Sequence, residues 1–320
     1  MAEISFLIDS TTIVPRELLT TGELTMIPIP IHAGAREYRD GVDLSSAEFL
    51  DLLASSKARP STAVPGLGEF SSYYDGLLRD CRIVIYPIAS RKLSGLFNAA
   101  VQAARHVEGA HVVAVDAPVD DDTGVHILQS SDPQLGARLP ELLALQGPVI
   151  VVLNTDLVSG ATGLLTIEGL RAVRRGLPWT EVLAHMVSTK RATGMLFVLR
   201  TLDYVVDRVG TLKAFIGGLL RIRPILEVRD GLVVDVARVR SESQAIAQLV
   251  ALVKHRVGDM PLRAYFLHAD AEPQAHQLAE LARGELNIVE EYLGDCGATV
   301  GRYTGRGGLG IAFSPFVSDP

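Results

Sequence analysis

Four runs in the first half of the chain are apolar without alternation: residues 4–8, 83–88, 111–115 and 149–153. A short run that is apolar on both faces reads as a strand buried between helices in a parallel sheet. Between and after these runs, apolar positions recur at helical spacing over residues 15–19, 45–53, 67–78, 93–106 and 135–145. Strand alternating with helix implies right-handed crossovers and a mostly parallel sheet covered on both faces. Residues 25–32 add a candidate strand, which Pro28 and Pro30 confine to an edge.

The second half carries a different pattern. Residues 225–229 and 232–236 flank Asp230-Gly231, a two-residue hairpin signal. Helical stripes follow at Ile246, Leu249, Val250, Val253 and Val257, then at Ala275, Leu278, Ala279 and Ala282. Shorter strand candidates lie at 263–268, 288–293 and 310–313. The pattern predicts an α/β chain of two domains, a parallel one over 1–176 and an α+β one over 177–320, divided near Gly176-Leu177-Pro178. Residues 116–127 also resemble residues 155–166, with Val, Thr and Gly in register. The likeness is either coincidence or an inserted strand–helix unit.

Open α/β sheets bind ligands beyond the carboxyl ends of their strands, where helix N-termini point into the crevice. Ser94 falls there, after the 83–88 strand and at the start of an Ala-rich helix. Taken alone it reads as a helix N-cap. Other hydroxyls gather at the same edge: Ser10, Thr11 and Thr12 after the first strand, Ser90 beside Ser94, and Ser61-Thr62 before a helix. Neutral hydroxyls converging on one polar group would satisfy it without adding charge.

Other motifs are weaker. Gly305-Arg306-Gly307-Gly308-Leu309-Gly310 has the spacing of a dinucleotide fingerprint, but the chain ends too soon for the helix that motif requires. It remains a Gly-rich loop able to approach a ligand. There is no phosphate-binding P-loop, and Ser94 has no nucleophile-elbow or triad context. His268, Asp270, Glu272 and His276 match no common metal spacing, and Asp120-Asp121-Asp122 lacks the alternation of a calcium loop. No metal site is expected. Arg171, Arg174 and Arg175 read as an exposed helical face.

Composition narrows the setting. The 320 residues are 48% hydrophobic and 21% charged, as in a well-buried globular protein. A net charge of −7 argues against nucleic acid or an anionic membrane as the main partner. Cys81 and Cys296 are the only cysteines and form no disulfide framework, so a reducing cytoplasm is the default. The first nine residues lack a basic n-region, and the most apolar window, 142–153, is broken by Gln146-Gly147-Pro148. No stable membrane insertion is expected.

In their order, several segments resemble the DegV family of bacterial fatty-acid-binding proteins. They are Asp9-Ser10-Thr11, Glu37-Tyr38-Arg39-Asp40-Gly41, Thr62-Ala63-Val64-Pro65 and Leu93-Ser94-Gly95. Val158-Ser159-Gly160-Ala161-Thr162-Gly163, then Leu220-Arg221-Ile222-Arg223-Pro224-Ile225-Leu226 before the hairpin, and Tyr303-Thr304-Gly305-Arg306-Gly307 complete the set. The resemblance implies two domains with one long-chain fatty acid in a buried tunnel between them. It also implies a separate fatty acid kinase subunit that phosphorylates the presented carboxylate for phospholipid synthesis. No catalytic residue and no cofactor on this chain are implied.

The family's Thr, Ser and His on the carboxylate correspond to Thr62, Ser94 and Tyr303, with Ser61 and Gly95 in the same motifs. The chain departs from the family pattern at Ala63, at Leu96-Phe97 after Ser94-Gly95, near Asp207-Arg208-Val209, and at Tyr303 and Arg306. Residues 117–152 look inserted. Tyr303 offers only a neutral donor, and Arg306, at the usual proline position, is expected to restore the missing positive charge. The alternatives are a diverged member that binds another lipid or amphipathic carboxylate without a kinase, and a hydrolase using Ser94.

Overall fold

The computed structural model describes residues 3–56, 59–118, 124–132, 135–200, 204 and 222–317. Asp120-Asp121-Asp122, Asp207-Arg208-Val209 and Leu220-Arg221 lie outside the described residues. The chain opens with β1 (Ile4–Asp9), α1 (Arg16–Thr20), β2 (Leu24–Ile27), β3 (Pro30–Ala33) and β4 (Arg36–Arg39). Next come α2 (Ser46–Ser55), β5 (Ser61–Thr62), α3 (Leu67–Leu78), β6 (Ile83–Ile88) and α4 (Leu96–Ala104). The first half closes with β7 (His111–Val115), β8 (Val125–Leu128), α5 (Leu135–Leu143), β9 (Val149–Asn154) and α6 (Ser159–Arg174). Then follow α7 (Trp179–Lys190), β10 (Gly194–Val198), β11 (Arg223–Arg229), β12 (Leu232–Val239) and α8 (Glu242–Val257). The last elements are β13 (Leu262–His268), α9 (Glu272–Glu285), β14 (Ile288–Asp295), α10 (Gly297–Thr304) and β15 (Leu309–Pro315).

The first sheet is parallel, in the order β2-β1-β6-β9-β7-β8. Strands β6 and β9 are buried at every position, which is why their sequences show no alternation. The second sheet is mixed, in the order β12-β11-β10-β15-β13-β14, and among the described residues its only parallel pair is β13 with β14. This is the predicted division into a parallel and an α+β half. Proline corrects one detail. Residues 25–32 are not one strand: the chain breaks at Pro28, so β2 edges the parallel sheet while β3 enters a separate small sheet, β4-β3-β5.

The molecule stacks in layers. Helices α3 and α4 cover one face of the parallel sheet through Phe70, Tyr74, Phe97 and Ala100. Helices α6 and α7 cover the other face, and the same cluster continues into Tyr265 and Leu267 of β13 and Ala312 of β15. Alternate residues of the second sheet, Ala264 and Phe266 among them, turn outward to α8 and α9. Helix α6 is therefore shared. Buried at 13 of its 16 residues, it shows no apolar stripe because it has no wet face to show polarity on.

Three sequence expectations meet this architecture. The segment read as inserted, 117–152, holds β8, α5 and the start of β9, which lies between β6 and β7. Residues 116–127 and 155–166 diverge, the first leading into β8 and the second into α6. What both stretches do share is an aspartate with positive φ bound to one lysine: Lys190 Nζ lies 2.6 Å from Asp116 Oδ2 and 3.1 Å from Asp156 Oδ2. The arginines of α6 are paired rather than simply exposed, Arg171 with Glu290 at 2.7 Å and Arg174 with Glu23 at 2.6 Å.

Candidate ligand cavity

Pairing between β1 and β6 ends at Ile85, two residues before Pro87, whereas β6 and β9 stay paired as far as Ile88 and Asn154. Proline has no N–H to offer a neighbouring strand. The order of connection also reverses at this parallel pair, β1 leading outward to β2 while β6 lies on its other side. The crevice at such a reversal is where open α/β sheets hold ligands.

A cavity of about 250 Å³ occupies it. Its walls come from both halves of the chain. Thr11, Ala89, Leu93 to Leu96, Val158 and Ser159 come from the carboxyl edge of the parallel sheet. Ile29 and Thr62 to Val64 come from around the small sheet, and Met195, Phe197, Val233, Thr299, Val300, Tyr303 and Thr304 from the second half. Most of this surface is apolar. The polar lining among the described residues consists of hydroxyls and backbone.

Four of the six expected site residues line this cavity. Thr62 is held by antiparallel pairing with Ile31 in β3, and its Oγ1 lies 3.4 Å from the Tyr303 hydroxyl on α10. Ser94 lines the same cavity. It stands one residue ahead of the helix cap, since Gly95 is the N-cap of α4. The Ser94 Oγ accepts the Leu96 N–H at 3.2 Å, which leaves its own proton for another acceptor. Gly95 also lines the wall, where an added Cβ would sit 3.6 Å from Val64.

The other two expected residues are placed elsewhere. Ser61 is exposed, and it pairs with His32 across the small sheet. Arg306 is not in the lining: its guanidinium lies 2.6 Å from Asp51 and 2.8 Å from Asp270. Two nearby carboxylates hold its guanidinium away from the lining, where the sequence had placed a charge for the cavity. The Gly-rich loop does not reach the cavity either; Gly305 and Gly307 pack against Tyr204 and Arg200, and the lining stops at Thr304.

Two buried carboxylates hold the polar wall in place. Asp9 accepts the Thr11 N–H at 2.9 Å and the Tyr86 hydroxyl at 2.8 Å. Asp40 accepts the Ser10 hydroxyl at 2.9 Å and the N–H groups of Ala298 and Thr299 at 3.2 and 3.0 Å. Burial pushes both carboxyls above the ordinary aspartate range, and the hydrogen bonds offset only part of that shift. Asp40 thereby caps α10, the helix that carries Tyr303.

Two further lining residues were not singled out as site residues from sequence. Ser159 is buried at the first turn of α6 with φ of +52°, and its Oγ has no partner. Thr299 lines the cavity one turn before Tyr303. The short tract Val158-Ser159-Gly160 was the available signal for Ser159.

Fold and cavity together define a two-domain α/β protein with an apolar ligand space between a parallel and a mixed sheet. The chain belongs to the DegV family: the family model described as "Uncharacterised protein, DegV family" matches residues 3–315. A DegV domain-containing protein of Halalkalibacterium halodurans is 26% identical over 319 residues, 98% of this chain and 99% of that one. The fold is similar to that of a fatty-acid-binding DegV family protein from Thermus thermophilus, with a TM-score of 0.80 at 23% identity, covering 98% of this chain and 100% of the other. It is similar also to DegV from Bacillus subtilis, a fatty acid binding protein, with a TM-score of 0.75 at 21% identity over 99% and 100% of the two chains. Among the described residues no helix is long and apolar enough to cross a membrane.

Proposed function

We propose that this chain is a carrier that buries a long-chain fatty acid and presents its carboxylate to a separate fatty acid kinase, with no covalent step of its own. The observation that carries the reading is the Thr62–Tyr303 hydroxyl pair in the wall of an otherwise apolar cavity that Ser94 also lines. The fatty-acid-binding relatives in the family support it. Each buried methylene contributes about 0.8 kcal/mol, so a long chain gains on the order of 10 kcal/mol before association costs. Desolvating the carboxylate would cancel much of that gain unless donors meet it. Thr62, Ser94 and Tyr303 are proposed as those donors, beside Gly95. Ser61 and Arg306 are left out of the set because neither lines the cavity.

A second reading is favoured by the neutrality of these donors: a diverged member that holds another amphiphile and has no kinase partner. Ser94 as a hydrolytic nucleophile ranks last, since no histidine lies among the lining residues described. Mass spectrometry of lipid released from the denatured protein tests the carrier. A long-chain fatty acid supports it, and a different lipid supports the second reading. Transfer of radiolabelled phosphate from ATP to the bound acid, in the presence of a bacterial fatty acid kinase subunit, tests the partnership.

A further inference from the structure

The proposed carboxylate site leaves Ser159, a polar lining residue, without a task. The Ser159 Oγ is fully buried and has no hydrogen-bond partner. A plain hydrocarbon chain drawn across that hydroxyl excludes water from it and returns nothing. Its surroundings define what would suit it. The 16-residue helix α6 begins at Ser159, so the partial positive charge of the helix end falls at the cavity wall. The loop after β1 lies alongside, with Ile13 N–H donating to the Ser159 carbonyl at 3.4 Å. Thr11 on that loop also lines the cavity, and its hydroxyl proton is committed to Asp9 Oδ1, leaving Thr11 Oγ1 as an acceptor.

We infer that the cavity prefers a fatty acid bearing a hydroxyl group along its chain, held by Ser159 and Thr11. The inference rests on the carrier reading and extends it to the class of acid carried. A ligand hydroxyl accepts from Ser159 and donates to Thr11, so both wall groups are satisfied. A keto group could only accept and would leave Thr11 unanswered. A second carboxylate would bring no proton to Thr11 Oγ1, which can only accept here, so a neutral hydroxyl fits better.

The test uses the delipidated full-length chain, with palmitic acid and its monohydroxylated positional isomers measured by titration calorimetry. One or more isomers should bind roughly ten-fold more tightly than palmitic acid, the factor expected for relieving one unmade hydrogen bond. Ser159→Ala should erase that ratio. Ser159→Gly should do the same without strain at positive φ, so a folding defect in the alanine variant would not obscure the result. The inference is overturned if no isomer outbinds palmitic acid, or if the ratio survives both substitutions. Failure of every fatty acid to bind would remove the carrier reading itself, and this inference with it.

Discussion

The Asp40 carboxylate caps a helix 259 residues further along the chain, its Oδ2 accepting the Thr299 N–H at 3.0 Å. This bond joins the loop after β4 to α10, and α10 brings Tyr303 to Thr62. Asp40→Ala is expected to destabilise the protein by about 1–2 kcal/mol, the usual loss of a cap, and to weaken ligand binding as Tyr303 drifts. Asp40→Asn keeps an acceptor and removes a buried charge, so it should lie closer to wild type. Urea denaturation of the three proteins checks the order.

Tyr303→Phe removes one proposed donor and keeps the ring. Fatty acid affinity should fall about ten-fold, as for one hydrogen bond to a charged group, while the urea midpoint moves little. Competition against a fluorescent fatty acid measures it. A comparable loss is expected for Ser94→Ala.

At Gly163, inside α6, an added Cβ would stand 1.8 Å from the Ile13 carbonyl oxygen. Backbone cannot yield as a side-chain tip can, so Gly163→Ala should cost about 3 kcal/mol or more. Gly76 in α3 has nothing within 4 Å, and Gly76→Ala should instead add up to about 1 kcal/mol. Thermal melts of both variants decide this.

The tip of the β11–β12 hairpin is fastened beside the cavity. Ser90 Oγ donates to the Gly231 carbonyl at 2.7 Å, and Lys92 Nζ donates to the Asp230 carbonyl at 2.7 Å. A Cβ on Gly231, at φ of +74°, would fall 2.5 Å from Ser90 Oγ and 2.7 Å from Asp156 Oδ1. Gly231→Ala should lift the tip and speed ligand release several-fold, read by stopped-flow displacement.

Asp116 predicts a pH effect. Burial pushes its carboxyl up, but the Lys190 ammonium and the Ser130 N–H outweigh burial and hold it below the usual range. The native protein then binds fewer protons there than the unfolded chain, so stability rises with pH across that window. The contribution is present above the unfolded value of about 3.9 and is lost as pH falls through the native value. Asp116→Asn should be less stable than wild type at about pH 6, and the two should converge in strong acid.

Much of this arrangement was readable from residues alone. Continuous apolar runs located β6 and β9, and Asp230-Gly231 located the hairpin, because buried strands and type I′ turns leave local traces. Helix α6 left a trace only in the arginines of its last turn, since both its flanks are protein and its small residues answer to Ile13, Phe6 and Leu267 from distant segments. Strand β10 and helix α10 were missed for a related reason: Gly194 answers to Phe313 and Gly301 to Leu50 and Phe49 of α2, not to local preference. Arg306 shows the limit at the site. Its position in a motif suggested a charge for the cavity, and only the placement of Asp51 and Asp270 shows where that charge is spent.

Helix α6 has a last consequence, for thermodynamics. One helix closes both cores, so neither sheet can melt while the other keeps its packing, and a cut at Gly176 should leave no independently folded fragment. A ligand held at that seam stabilises the entire chain at once. Tyrosine signals from the parallel half at Tyr74 and from the mixed half at Tyr265 should rise to the same higher melting temperature when fatty acid is added, as one transition.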